Sequence, residues 1–178
     1  MKIQTKENFS KKHIYLIGYM GSGKTTVGRI LSEKTDLPCI DMDEIISSRL
    51  SMSIGDIFDK LGETAFREAE SSLLEEIAAS TAPLIVSCGG GVPLMHENRL
   101  VLKSSGTTYL LEADPEEILR RIENDESRPL LENKKSISYV SEMLESRHNA
   151  YAEASDMTIS TNGKTPEEIA DEILAVLK

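Results

Sequence analysis

The chain has 178 residues, which suits one domain with a sizeable core. Hydrophobic residues are 39%, charged residues 28%, and the formal net charge is −10 at pH 7. That acidic balance argues against a nucleic-acid surface, and any anionic ligand must be drawn in by a local cationic site.

Met1 to Lys12 is polar, carries four lysines and leads into no long apolar run. Neither a signal peptide nor a membrane span is expected, and a cytoplasmic location is. Ile14-Tyr15-Leu16-Ile17 reads as the first strand. Gly18-Tyr19-Met20-Gly21-Ser22-Gly23-Lys24-Thr25 follows it, and Val27, Ile30 and Leu31 then mark one face of a helix running to about Thr35. This is G-x-x-x-x-G-K-[ST] between strand and helix, the context the phosphate loop requires. Glycines let backbone N–H groups wrap a phosphate, and the helix start adds partial positive charge. Lys24 can reach the β- and γ-phosphates, and the Thr25 hydroxyl can ligate Mg²⁺.

Cys39-Ile40 is a short second strand with Asp41 and Asp43 at its end, the ligand edge of an open parallel sheet. Helices are expected over 44–50, 54–61 and 63–80, with Gly62 breaking the last two apart. Leu84 to Ser87 reads as a buried parallel strand, and Cys88-Gly89-Gly90-Gly91-Val92-Pro93 lets a ligand approach its end closely. Cys39 and Cys88 read as reduced, buried thiols, not as a disulfide or a metal pair. A helix over 95–103, a strand over 107–111 and a helix from Pro115 to about Glu123 follow. Residues 124–136 are polar, irregular and long for a loop, as a lid is. A helix over 137–154, a strand over 157–160 and a last helix opened by Thr165-Pro166-Glu167-Glu168 complete the chain. Strands alternating with helices predict a three-layer α/β fold with a five-stranded parallel sheet, one domain over 1–178. The 42–80 and 124–136 segments are insertions over one edge.

Four charged features bear on chemistry. Asp41 and Asp43 alternate, so in an extended segment they share one side, one near Mg²⁺ and the other near an acceptor hydroxyl; an exposed acidic turn explains them equally well. Arg147 falls on the helix stripe Val140, Leu144, Arg147, Tyr151, where it either pairs with an internal carboxylate or faces a cleft and binds an anion. Arg67 is spaced to pair with Glu63 and Glu70, or else to fork with Arg147 onto one small-molecule carboxylate. Arg128, in the expected lid, is either a solvated charge or an arginine finger.

Jointly these stretches resemble shikimate kinase. The resemblance rests on Gly18 to Gly28, Asp41-Met42-Asp43, Phe66-Arg67-Glu68-Ala69-Glu70, Gly89-Gly90-Gly91-Val92, Arg128-Pro129-Leu130-Leu131 and Arg147-His148-Asn149-Ala150-Tyr151, in family order from about residue 13 onward. It implies the nucleoside monophosphate kinase fold and transfer of the γ-phosphate of ATP to the 3-hydroxyl of shikimate, in the route to aromatic amino acids. By the same resemblance Gly21, Ser22, Gly23, Lys24, Thr25 and Thr26 hold the phosphates, Thr25 and Asp41 the Mg²⁺. Arg121 and Lys164 lie at the adenine, and Arg128 closes on the phosphates. Asp43 is the candidate base and binds the substrate hydroxyls. Arg67 and Arg147 hold the shikimate carboxylate, Gly90 lies beside the substrate with Gly89 and Gly91, and Phe58 and Phe66 wall the site. A monomer without nucleic-acid or membrane partners is expected. A gluconate or nucleoside monophosphate kinase of the same fold, or a nucleotide switch without turnover, are the alternatives.

Overall fold

His13–Ile17 forms β1, and all five of its residues are buried. A strand without polar alternation must be covered on both faces. The computed structural model, which describes residues 13–122 and 136–177, covers it with helices on both sides. After β1 come α1 (Lys24–Thr35), β2 (Cys39–Asp41), α2 (Met42–Leu50), α3 (Ile54–Ala79) and β3 (Ile85–Ser87). A 3-10 turn (Val92–Leu94), α4 (His96–Ser105), β4 (Gly106–Glu112) and α5 (Pro115–Ile122) follow. The chain ends with α6 (Ile137–Ala154), β5 (Met157–Ser160) and α7 (Pro166–Val176).

The strands pair in the order β2-β3-β1-β4-β5, every pair parallel. This is the expected three-layer α/β arrangement. Side chains of β1 divide by the two-residue period: Ile14 and Leu16 join the core under α1 and α7, Tyr15 and Ile17 the core under α3, α4 and α6. So β1 feeds α1 on one face while its neighbour β3 feeds α4 on the other. Their C-terminal ends diverge and leave a crevice, the place where such sheets bind ligands. A third cluster joins Tyr19, Ala113, Ile118, Leu119, Ile122 and Val140, beneath the start of the phosphate loop.

Two local features depart from the expected pattern. β2 runs through Asp41 and turns directly into α2, because Asp41 accepts the backbone N–H groups of Asp43 (3.0 Å) and Glu44 (3.3 Å) as N-cap. Asp43 therefore stands in the first turn of a helix and does not alternate with Asp41 along a strand. The short turn at Val92–Leu94 was not expected. Gly62 breaks α3 as expected, with φ 85° and ψ 167° inside an otherwise helical run. Cys39 and Cys88 are free, Cys88 buried and Cys39 half-buried. Burial pushes both thiols up, away from the reactive thiolate. Among the described residues no helix is long and apolar enough to cross a membrane.

Candidate active site

The phosphate loop joins β1 to α1. Gly21 and Gly23 carry φ values of 78° and 97°, a region that other residues enter only at a cost. Lys24, the first residue of α1, folds its ammonium back onto the carbonyls of Gly18 (2.9 Å) and Tyr19 (3.0 Å). A phosphate entering the loop offers that ammonium a stronger, charged acceptor. The buried Ser22 hydroxyl has no hydrogen-bond partner among the described residues, and Thr26 is exposed. The Thr25 hydroxyl donates to Asp41 Oδ2 at 2.7 Å and lies 3.2 Å from Ser87 Oγ. Hydroxyl and carboxylate oxygens suit a hard cation such as Mg²⁺, which takes its remaining ligands from phosphate and water and needs no protein cage. Arg121 ties the loop to the segment after β5, donating to the Gly21 carbonyl (3.2 Å) and to the Thr161 carbonyl (2.9 Å) and hydroxyl (3.1 Å). Lys164 is ion-paired with Glu172.

On the other side of the crevice the glycine run after β3 is surrounded by charge. A Cβ on Gly89 would collide with the Glu70 carboxylate and lie 2.8 Å from Asp43 Oδ1, so both acids converge on its backbone. Glu70 is 1% exposed, and burial pushes its carboxyl up to about 7 against the pull of Arg67. Arg67 binds Glu70 at 2.6 Å and Glu63 at 2.9 Å, and it lies against the rings of Phe66 and Phe58. Those two rings pack with centroids 4.8 Å apart. A Cβ on Gly91 would collide with the Arg67 guanidinium. From α6, Arg147 donates to the Gly90 carbonyl (3.3 Å), which also accepts the Tyr151 hydroxyl (2.8 Å). Arg147 has no ion-pair partner among the described residues, its Nε is buried without a hydrogen bond, and its guanidinium lies 5.3 Å from the Tyr19 ring centroid. The same glycine run borders the phosphate loop: a Cβ on Gly90 would lie 3.5 Å from the Gly18 carbonyl oxygen. The arrangement sets a phosphate cradle beside two cations and two acids, groups able to position and neutralise charge in phosphoryl transfer.

The family model described as Shikimate kinase matches residues 20–178. A shikimate kinase of Enterococcus faecalis is 45% identical over 167 residues, 93% of this chain and 98% of that one. This chain belongs to the shikimate kinase family. A shikimate kinase of Sulfurihydrogenibium is 40% identical over 94% of this chain and 98% of its own length. The structure of Acinetobacter baumannii shikimate kinase in complex with shikimate superposes with a TM-score of 0.86 at 34% identity, covering 94% of this chain and 93% of that one. A gluconokinase of Sinorhizobium meliloti shares the fold, with a TM-score of 0.61 at 19% identity over 94% of this chain and 91% of that one.

In this chain the fold brings together Lys24, Thr25, Asp41, Asp43, Phe58, Phe66, Arg67, Gly89, Gly90, Gly91 and Arg147 around one crevice. Arg121 and Lys164 lie toward the segment after β5. Arg128 and residues 124–135 of the expected lid lie outside the described residues. Arg67 makes both of the acid contacts that its spacing allowed, and it stands against Gly91 as well. Sequence reasoning treated Glu70 only as an ion-pair partner and passed over Ser87 and Tyr151. Glu70 falls on the buried stripe Phe66, Glu70, Leu73, Leu74, Ile77, and an acid there was a readable signal. Ser87 carried none, being a serine at the end of an apolar run.

Proposed function

We propose that this chain transfers the γ-phosphoryl group of ATP to the 3-hydroxyl of shikimate, a step toward the aromatic amino acids. The observation that carries this reading is the meeting of Arg67, Arg147 and Asp43 around Gly89–Gly91, beside the phosphate loop. Two forked cations suit a ring carboxylate, and the Asp43 carboxylate at the other end of the glycine run suits a ring hydroxyl. Glu63 is exposed and Glu70 buried, so an arriving carboxylate displaces the first while the second keeps Arg67 aimed at the cleft.

Lys24 leaves the Gly18 and Tyr19 carbonyls for the phosphates. Asp43 orients the 3-hydroxyl and takes its proton as the oxygen bonds to the γ-phosphorus. The bond from that phosphorus to the bridging oxygen breaks, and ADP leaves with the electron pair. Thr25 and Asp41 would hold Mg²⁺, which would supply charge neutralisation at the phosphates. Arg121 and Lys164 flank the adenine, and Arg128, outside the described residues, is assigned to the phosphates. Residues 42–80 form the acceptor-binding part of a single 1–178 domain. The reading has the chain act as a monomer, in the cytoplasm where ATP is supplied.

The test is acceptor-dependent ADP release over shikimate, gluconate and nucleoside monophosphates, with phosphorus NMR of the product. The expected outcome is turnover with shikimate and a phosphate ester at the 3-oxygen. Preference for gluconate or a nucleoside monophosphate, or ATP binding without release, would overturn the reading.

A further inference from the structure

Tyr19 occupies a position at which the phosphate-loop pattern asks for no particular residue. Yet its side chain is only 3% exposed, and its ring lies under the Arg147 guanidinium at 5.3 Å. That distance is within the range of a cation–π contact. The contact matters because the other groups on Arg147, the Gly90 carbonyl and the Tyr151 hydroxyl, are neutral. Its one hydrogen bond to the glycine run is 3.3 Å, its Nε has none, and no ion pair fixes it among the described residues. The same residue touches the nucleotide side. Its carbonyl accepts the Lys24 ammonium at 3.0 Å, as well as the Ser22 N–H at 3.2 Å. A cavity of about 580 Å³ opens between α5 and α6, lined in part by Tyr19, Ile118, Leu144 and Tyr151. The ring is held by its packing against Ala113, Ile118 and Val140, while the cavity leaves space beside it for a side chain that lost the ring contact.

We propose that Tyr19 is a positioning residue that links the two sites: its ring holds Arg147 toward the acceptor carboxylate, and its carbonyl is released when Lys24 moves to the phosphates. The inference rests on Arg147 binding that carboxylate. Nucleotide and acceptor then influence each other through one residue, and by linkage the influence is the same in both directions.

The test is calorimetric shikimate affinity, with and without ADP, for wild type, Tyr19→Leu, Tyr19→Phe, Arg147→Ala and the Tyr19→Leu/Arg147→Ala pair. Removing the ring is expected to weaken shikimate binding about two- to thirty-fold, the range of a cation–π contact. Tyr19→Phe keeps the ring face and is expected to stay within about twofold of wild type. In the Arg147→Ala background the loss of the ring is expected to cost nothing further, a non-additivity that general loosening of the loop would not produce. ADP is expected to change wild-type shikimate affinity by about fivefold or more, and the Tyr19→Leu affinity by less than about twofold. If Arg147→Ala weakens binding but Tyr19→Leu does not, or if the two effects add, the positioning role is wrong and the carboxylate clamp stands. If wild type shows no ADP effect, the link is wrong. If Arg147→Ala leaves shikimate affinity intact, the clamp reading falls and takes this inference with it.

Discussion

A carboxylate beside a reacting hydroxyl can take its proton or hold it in line, and both roles are proposed for Asp43. Asp43→Asn keeps the shape and loses charge and basicity. A fall in kcat of roughly 10²–10⁴-fold is expected, with the smaller end if the transition state is loose and alignment matters more than proton transfer. Steady-state rates check this, and a loss under about threefold would remove Asp43 from both roles. The two arginines ask a different question, because each also has a structural contact: Arg67 with Glu70, Arg147 with the Gly90 carbonyl. Each is expected to contribute roughly 10- to 150-fold to shikimate affinity through charge-assisted bonds, and lysine should not rescue either. A double cycle separates clamp from scaffold. Arginine variants are measured against shikimate and against its alcohol analogue, in which the carboxylate is reduced. A clamp makes the mutations almost silent with the alcohol; equal losses with both ligands would make the arginines structural.

At the scale of elements, the glycine run after β3 is where three helices meet. Gly91 sits just before the 3-10 turn with φ −97°, a conformation open to any residue, so its lack of a side chain serves space and not backbone freedom. The space is taken by Arg67 of α3. Gly91→Ala is expected to fold, with a Tm lowered by the strained Arg67–Glu70 contact, while displacing the guanidinium. The KM for shikimate should rise roughly tenfold or more, about the worth of one charge-assisted hydrogen bond, with the KM for ATP nearly unchanged. Kinetics against both substrates, alongside a melt, check this. An unchanged shikimate KM would show that Arg67 does not act from where it stands.

For the whole molecule, the buried Glu70 makes stability depend on pH. The unfolded chain releases the Glu70 proton near the ordinary value of 4.5, while burial, opposed by Arg67 and reinforced by Asp43, delays release in the fold to about 7. Between those values the folded state binds more protons than the unfolded one. Stability from this group is therefore present below about 4.5 and is lost as pH rises through 7. From about pH 5 to pH 8, Glu70→Gln should flatten the decline of wild-type unfolding free energy by something on the order of 1–3 kcal/mol. Denaturant titrations at several pH values measure it. Parallel curves for the two proteins would show that Glu70 ionises normally in the fold.

What was legible in the chain was whatever depends on near neighbours in sequence. The unbroken apolar run of β1, the phosphate loop between strand and helix, the break at Gly62 and the capping box at Thr165 each state their own geometry within a few residues. That the strands run parallel followed, since strands separated by helical crossovers have little other choice; their order did not. The acidic pair was misjudged for a local reason too: Asp41 prefers backbone N–H groups as partners, which ends the strand before Asp43. Contacts between distant segments could not be read this way. That Arg67 leans on Gly91, that Glu70 is sealed beside Gly89, and that Tyr19 lies beneath Arg147 depend on how α3, α6 and the loops after β1 and β3 close on one crevice. Sequence periodicity states which face of a helix is buried; only the packed sheet decides what that face meets.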